Sequence, residues 1–137
     1  MIKELMVIAN DKVGLLAEIS YVLAKEKINI EQIDVNVMGA KAVILIGVLS
    51  ARYEKAKGAV EKNGYAVLPA ESLIVKLDDR PGELAALARR LADARINILN
   101  VHVLNKQGEA VYDSITVDKP REARKVLGSA VVNEEAQ

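Results

Sequence analysis

Apolar and polar positions along the chain change period at intervals, and the changes come twice in the same order. Leu5, Val7 and Ala9 alternate with Met6 and Ile8, the period of two expected of a β-strand, and Leu73, Val75 and Leu77 repeat it. Each strand leads into a polar turn ending in Gly14 or Gly82. A stripe spaced i, i+3, i+7 follows, Leu16, Ile19 and Leu23 in one case and Leu84, Leu87 and Leu91 in the other, with charged residues opposite. This spacing predicts a helix. Ile33, Val35 and Val37 then alternate with Asp34 and Asn36, Gly39 and Gly108 mark turns, and the β-branched runs Val43 to Leu49 and Val111 to Val117 follow. Two strands joined as a hairpin are predicted there. Residues 51–62 and 120–127, the latter with Pro120 in its first turn, read as a second helix ended by Gly64 or Gly128. A short last strand closes each unit. Tyr65 to Leu68 is apolar enough for one, whereas Val131-Val132-Asn133-Glu134-Glu135 offers little apolar material and is the weakest of the predicted strands.

The order is therefore βαββαβ, twice. Sliding the chain by 68 positions superposes Asp11 on Asp79, Gly14 on Gly82, Leu16-Ala17 on Leu84-Ala85, Leu23-Ala24 on Leu91-Ala92 and Ile28-Asn29-Ile30 on Ile96-Asn97-Ile98, without a gap. Leu5, Val7 and Val35 also meet identical partners. The fold class predicted is α+β, with two ferredoxin-like modules over residues 1–69 and 70–137, each an antiparallel sheet with both helices on one face. Pro69 and Ala70 form the linker. Strand two is an outer strand in this topology and would expose unpaired backbone groups. Pairing it with its counterpart covers both edges, so a single eight-stranded sheet is expected.

Composition narrows the function classes. Of 137 residues 51% are hydrophobic, enough for a packed core, and nineteen basic residues cancel nineteen acidic ones, which leaves no global field to draw the chain onto nucleic acid or an anionic membrane. Cysteine is absent, which excludes disulfides, thiolate metal sites and thiol nucleophiles, and a cytoplasmic location fits that absence. The longest apolar run, Ala42 to Leu49, is too short to cross a bilayer, and no signal-like segment opens the chain.

The residues around the first helix resemble a known family. A strand, then Asp-x-Pro-Gly-x-Leu opening a helix, then a leucine, then Ile-Asn-Ile entering a strand, is similar to the signature of the ACT domain, and both repeats carry it. The second repeat fits fully as Asp79-Arg80-Pro81-Gly82-Glu83-Leu84, while the first reads Asp11-Lys12-Val13-Gly14-Leu15-Leu16, with Val13 in place of the proline. The resemblance covers nearly the whole chain. It implies a small-molecule sensor, usually of amino acids, in which the loop of one module faces the Ile-Asn-Ile segment of a neighbour. By that implication the Gly14 loop pairs with Asn97 and the Gly82 loop with Asn29. The implied binding residues are Asn10, Asp11, Val13, Gly14 and Leu15 with Asn29, and Asp78, Asp79, Pro81, Gly82 and Glu83 with Asn97. No cofactor and no metal are expected.

The chemistry suits a zwitterion. Unpaired N–H groups and the helix dipole near Gly14 and Gly82 favour a carboxylate, and glycine leaves the approach open. Asp11 and Asp79 can accept from an ammonium, and Asn29 and Asn97 both donate and accept. A plainer alternative remains: an Asp just before a helix is often an N-cap, and an Asn entering a strand is often a turn residue.

Rival functions have less support. An enzyme would need a base beside a nucleophile, and the single histidine, His102, alternates out of phase with Val101 and Val103 and so belongs on the outer face of the sheet. The Asp78-Asp79 pair serves a helix dipole more naturally than acid–base chemistry. An RNA-binding sheet needs stacked aromatics, and only Tyr112 is placed for that. A regulatory subunit that docks on a metabolic enzyme without binding any ligand remains an alternative. A homodimer is also expected. With Leu5 and Val7 facing the helices, the opposite face carries Met6 and Ile8, and carrying the 68-residue shift into strand three adds Ile44, Ile46 and Val48, where the second repeat has Tyr112, Ser114 and Thr116. Five aliphatic side chains on one outer face predict sheet-on-sheet packing of two copies. A bulge that slips the register would reverse this assignment, and Asp113, which the same phase places inward, is a warning of it.

Overall fold

The computed structural model describes residues 1–133. The chain divides into two compact units, the first Met1–Pro69 and the second beginning at Ala70. In the first, β1 (Ile2–Asn10), α1 (Leu15–Lys25), β2 (Gln32–Met38), β3 (Lys41–Leu49), α2 (Tyr53–Lys62) and β4 (Ala66–Ala70) build a sheet of order β2-β3-β1-β4. In the second, β5 (Ser72–Asp78), α3 (Glu83–Asp93), β6 (Ile98–Gln107), β7 (Ala110–Val117) and α4 (Pro120–Leu127) build a sheet of order β5-β7-β6.

The core of the first unit follows from the alternation of its strands. Leu5 and Val7 of β1 lie opposite Ile46 and Ile44 of β3, and these four with Val48 pack under Leu15, Ile19 and Leu23 of α1 and Ala56 and Val60 of α2. The inward stripe of α1 begins at Leu15. Leu16 is exposed, and so is Leu84 in α3, where Leu87 and Leu91 carry the burial. The second core joins Leu73 and Val75 of β5 to Ile115 and Val117 of β7 under α3 and α4. Both first helices end alike. Ile28 donates to Leu23 O and Ile96 to Leu91 O, which requires a left-handed residue just before each, and Lys27 (φ 58) and Arg95 (φ 60) stand there instead of glycine.

Two expectations are corrected. Among the described residues the sheet of the first unit has four strands and that of the second three, where eight strands in all were expected. The weakest predicted strand is replaced by a single bridge from Val131 to Val75, continued by Val132 N donating to Ile74 O. Asn133 completes the edge with its side chain, its Oδ1 accepting from Ile74 N and its Nδ2 donating to Ser72 O, while Glu134 and Glu135 lie outside the described residues. A short polar tail has too little apolar surface to hold a full strand, and side-chain amides take over the pairing. Arg124 of α4 pins the tail, donating to Asn133 O (2.7 Å) and pairing with the largely buried Glu71 (2.9 Å).

The second correction concerns the faces of β3. Ile44, Ile46 and Val48 are 0% exposed and belong to the helix-side core, so they form no outer surface. Met6 also is buried at 4%, and the residues paired with Met6 and Ile8 are Leu45 and Val43. The cause is a slip of one residue between the repeats. Val7 lies opposite Ile44, whereas Val75 lies opposite Asp113, an offset of 69 in this strand against 68 in the first. The extra length is taken up in β6, which shifts register between Ile98 and Asn100 and again between Val103 and Asn105. A slip of one residue reverses every side chain of a strand.

Candidate functional site

In both units a loop joins the first strand to the first helix and turns on a glycine. Gly14 (φ 87) and Gly82 (φ 90) are left-handed and open α1 and α3, and a Cβ built on either meets nothing within 4 Å. The requirement for glycine here is therefore conformational, and the space above it is open. No side chain caps either helix, so the plainer reading of Asp11 and Asp79 as N-caps does not hold. Leu15 N donates to Lys12 O (3.2 Å) and Glu83 N to Arg80 O (3.4 Å), and the next two N–H groups of each first turn have no intrahelical acceptor.

Each loop is tied to the turn of the neighbouring hairpin. Asp11 N donates to Ala40 O (2.8 Å) and Asp79 N to Glu109 O (2.7 Å), which leaves both carboxylates at the same end of the sheet as the helix start. Asn10 Oδ1 accepts from Lys41 Nζ (2.7 Å), Val13 is fully exposed, and Leu15 turns into the core, so its side chain is not available to a ligand. Lys12 pairs with Glu18 at 2.8 Å on the surface, and the hydrogen bond holds the Glu18 carboxyl below its ordinary range.

The second loop is more highly charged. One Nη of Arg80 meets Asp78 (3.0 Å) and Glu83 (2.7 Å), and Lys106 reaches Asp79 at 3.4 Å. Asp78, Asp79 and Arg80 line an open depression of about 320 Å³ with Gly108 and Glu109 of the hairpin turn. Three carboxylates and one guanidinium thus stand beside the uncapped start of α3, an arrangement able to hold an ammonium and a carboxylate of one small molecule. Arg80, Lys106 and Glu109 are absent from the set expected from sequence. The signal for the turn was Gly108, which had to lie at the loop end once β6 and β7 were read as a hairpin.

The asparagines stand apart from the loop of their own unit. Asn29 follows α1 and Asn97 follows α3, each eleven residues long, so each lies roughly 16 Å along the helix from the glycine that starts it. Asn29 donates to Glu31 (3.2 Å), and Asn97 is held by Asp118, whose Oδ1 accepts from Asn97 N (2.9 Å). Pro81 fills the loop between Arg80 and Gly82. His102 is exposed on the face of β6 that pairs with Ser114, with Nδ1 3.2 Å from Asn100 Oδ1. Among the described residues no group of three or more His, Cys, Asp or Glu is placed to hold a metal ion, and no helix is long and apolar enough to cross a membrane.

Known proteins supply the comparison. The ACT domain family model matches residues 3–62, the span from β1 through α2. A protein from Bacteroides thetaiotaomicron, 26% identical, superposes with a TM-score of 0.58 over 91% of this chain and 85% of its own. The regulatory subunit of aspartate kinase from Thermus flavus, 18% identical, reaches 0.64 over 94% and 92%, and that from Thermus thermophilus, also 18% identical, reaches 0.60 over 94% and 91%. No curated protein sequence matches. The family match places an ACT domain over residues 3–62, the second unit repeats its β-α-β-β-α order and loop motif, and the likeness to the solved structures is one of fold over nearly the whole chain.

Proposed function

We propose that this chain is a regulatory sensor that binds a free amino acid at its helix-start loops. The observation that carries the reading is the depression of the second module, where Asp78, Asp79 and Glu109 stand beside the Arg80 guanidinium and the uncapped start of α3. A zwitterion offers charges of both matching signs. The family match and the fold shared with kinase regulatory subunits support a sensing role. In the finer form of the proposal, Asn29 and Asn97 complete the sites by serving the loop of a neighbouring module. A few charge-assisted hydrogen bonds of roughly 1.5–3 kcal/mol each, offset by ordering, place the affinity between about micromolar and millimolar. Calorimetry against the twenty amino acids tests this. Binding of one class, weakened at least about tenfold by Gly82→Leu because a branched side chain is strained at φ 90 and fills the approach, is the expected result. No heat from any amino acid would leave the alternative, a subunit that docks on a metabolic enzyme without a ligand of its own.

A homodimer remains part of the proposal, moved from the sheet face to its edge. β2 is an outer strand whose Ile33, Val35 and Val37 are all exposed, and unpaired edge strands with apolar side chains invite pairing. Val35→Lys should lower the sedimentation coefficient from dimer to monomer while leaving the circular dichroism spectrum unchanged. A wild-type chain already monomeric at micromolar concentration sinks this interface.

A further inference from the structure

We propose that Lys106 is a counterion shared by two carboxylates of the second module, held by Asp79 in the free protein and passed to the buried Asp113 when a ligand ammonium occupies Asp79. The proposal rests on the amino-acid reading for the identity of the ligand, but its core, the competition of two acids for one lysine, stands on this chain alone.

Asp113 is the anomaly that motivates it. It lies on the helix-facing side of β7, opposite Val75 of β5 and Val103 of β6, where the first module has Ile44 opposite Val7 and Val35. It is 4% exposed, and its buried Oδ1 has no hydrogen-bond partner among the described residues. A carboxylate in that position is costly and gives the fold nothing. Lys106 is the second departure. It lies opposite Val111, on the same face and two residues from Asp113, so the two are diagonal neighbours within reach of a lysine side chain. The corresponding pair in the first module is Val37 opposite Ala42. Both positions of one diagonal have therefore become ionisable in the second module only.

Lys106 is at present loosely held. Its Nζ is 3.4 Å from Asp79 Oδ2, and both side chains are well exposed, a geometry worth little in water. Asp79 also lines the depression. An ammonium arriving there displaces Lys106, and Asp113, one diagonal away on the same face, offers a buried carboxyl whose Oδ1 has no partner among the described residues. Burial raises the Asp113 pKa, opposed by the positive charges of His102 and Lys106, both on β6. The residues that the other elements bury on this face are apolar: Leu73 and Val75 of β5, Leu87 and Leu91 of α3, and Ala123 and Leu127 of α4. Where Asp113 carries a proton, the arrival of Lys106 breaks that O–H bond and the proton leaves to solvent. No other bond changes, and ligand binding becomes coupled to proton release.

Carboxyl carbon NMR on the full chain tests this without any ligand. Asp79→Asn removes the group that holds Lys106 and imitates the occupied site. The Asp113 carboxyl should then lose about tenfold in proton affinity relative to wild type, and Asp79→Asn combined with Lys106→Met should not. An Asp113 titration unmoved by Asp79→Asn, or moved equally when Lys106 is methionine, overturns the proposal. Calorimetry of the wild type in two buffers of different ionisation enthalpy judges the ligand separately. Absence of amino-acid binding would remove the sensor reading, while the transfer of Lys106 between Asp79 and Asp113 would still stand or fall on the NMR titration.

Discussion

Ile46→Lys is expected to unfold the first module, not merely to separate subunits. Ile46 is fully buried between Leu5 and Ile33 on the helix side of the sheet and belongs to the cluster under α1 and α2. Substitution removes about 2 kcal/mol of apolar burial and forces an ammonium among the aliphatic side chains of that cluster. The sum exceeds about 4 kcal/mol, a large part of the stability of a small domain. Amide NMR should show loss of dispersed resonances from residues 1–69, and urea denaturation should show the loss of a transition. Ile8→Lys provides the control. Ile8 lies on the opposite face, partly exposed, and its replacement should cost roughly 1 kcal/mol. A well-folded Ile46→Lys chain would return Ile46 to the outer face.

This contrast shows where the sequence was legible. Periods of 2 and 3.6 located every strand and helix of the first module, because each element buries one face and the buried face sets the spacing. The repeat located those of the second. The faces of the third strand could not be taken from the repeat alone, since a gapless shift holds only while both copies have the same length between strands. Gly39 and Gly108 are 69 apart while Gly14 and Gly82 are 68 apart, so the extra residue was visible in the turns. The bulges of β6 absorb it, and bulges have no clear signature in an Ile-, Val- and Asn-rich strand.

The site was legible in the same uneven way. A glycine that must be left-handed, with an acid before it, marks a loop with a local cause, and local causes survive in sequence. Glu83 follows from the loop itself, whereas Arg80, in the same loop, is not among the residues expected from sequence. Lys106 and Glu109 enter through pairing across the hairpin, a contact between residues about thirty apart in the chain that the bulges of β6 make hard to register. Leu15 neighbours Gly14, but the helical period turns its side chain inward. Asn29 and Asn97 were assigned by resemblance, and the helix length places them away from their own loops.

Asp113→Ile is expected to stabilise the second module by about 2 kcal/mol at neutral pH, since it exchanges a buried carboxyl without a partner on Oδ1 for the residue type the first module uses at Ile44. Burial alone would favour a larger gain, and the different shape and greater bulk of a β-branched isoleucine in a packed strand offset part of it. The pH dependence identifies the cause. The pKa of Asp113 is raised on folding, so its contribution is most favourable below the unfolded value and is lost as pH rises through the folded value. The advantage of the variant should accordingly be small near pH 4 and grow toward about pH 7. Urea denaturation of both proteins across that range measures the difference. Equal or lower stability of Asp113→Ile at neutral pH would mean that the carboxylate is already satisfied in the native state, and Asp113→Asn, which keeps the shape and removes the charge, would then separate loss of a hydrogen bond from overpacking. If the variant is more stable and no longer releases protons on binding, the second module has kept a destabilising acid in its core because Lys106 needs somewhere to go.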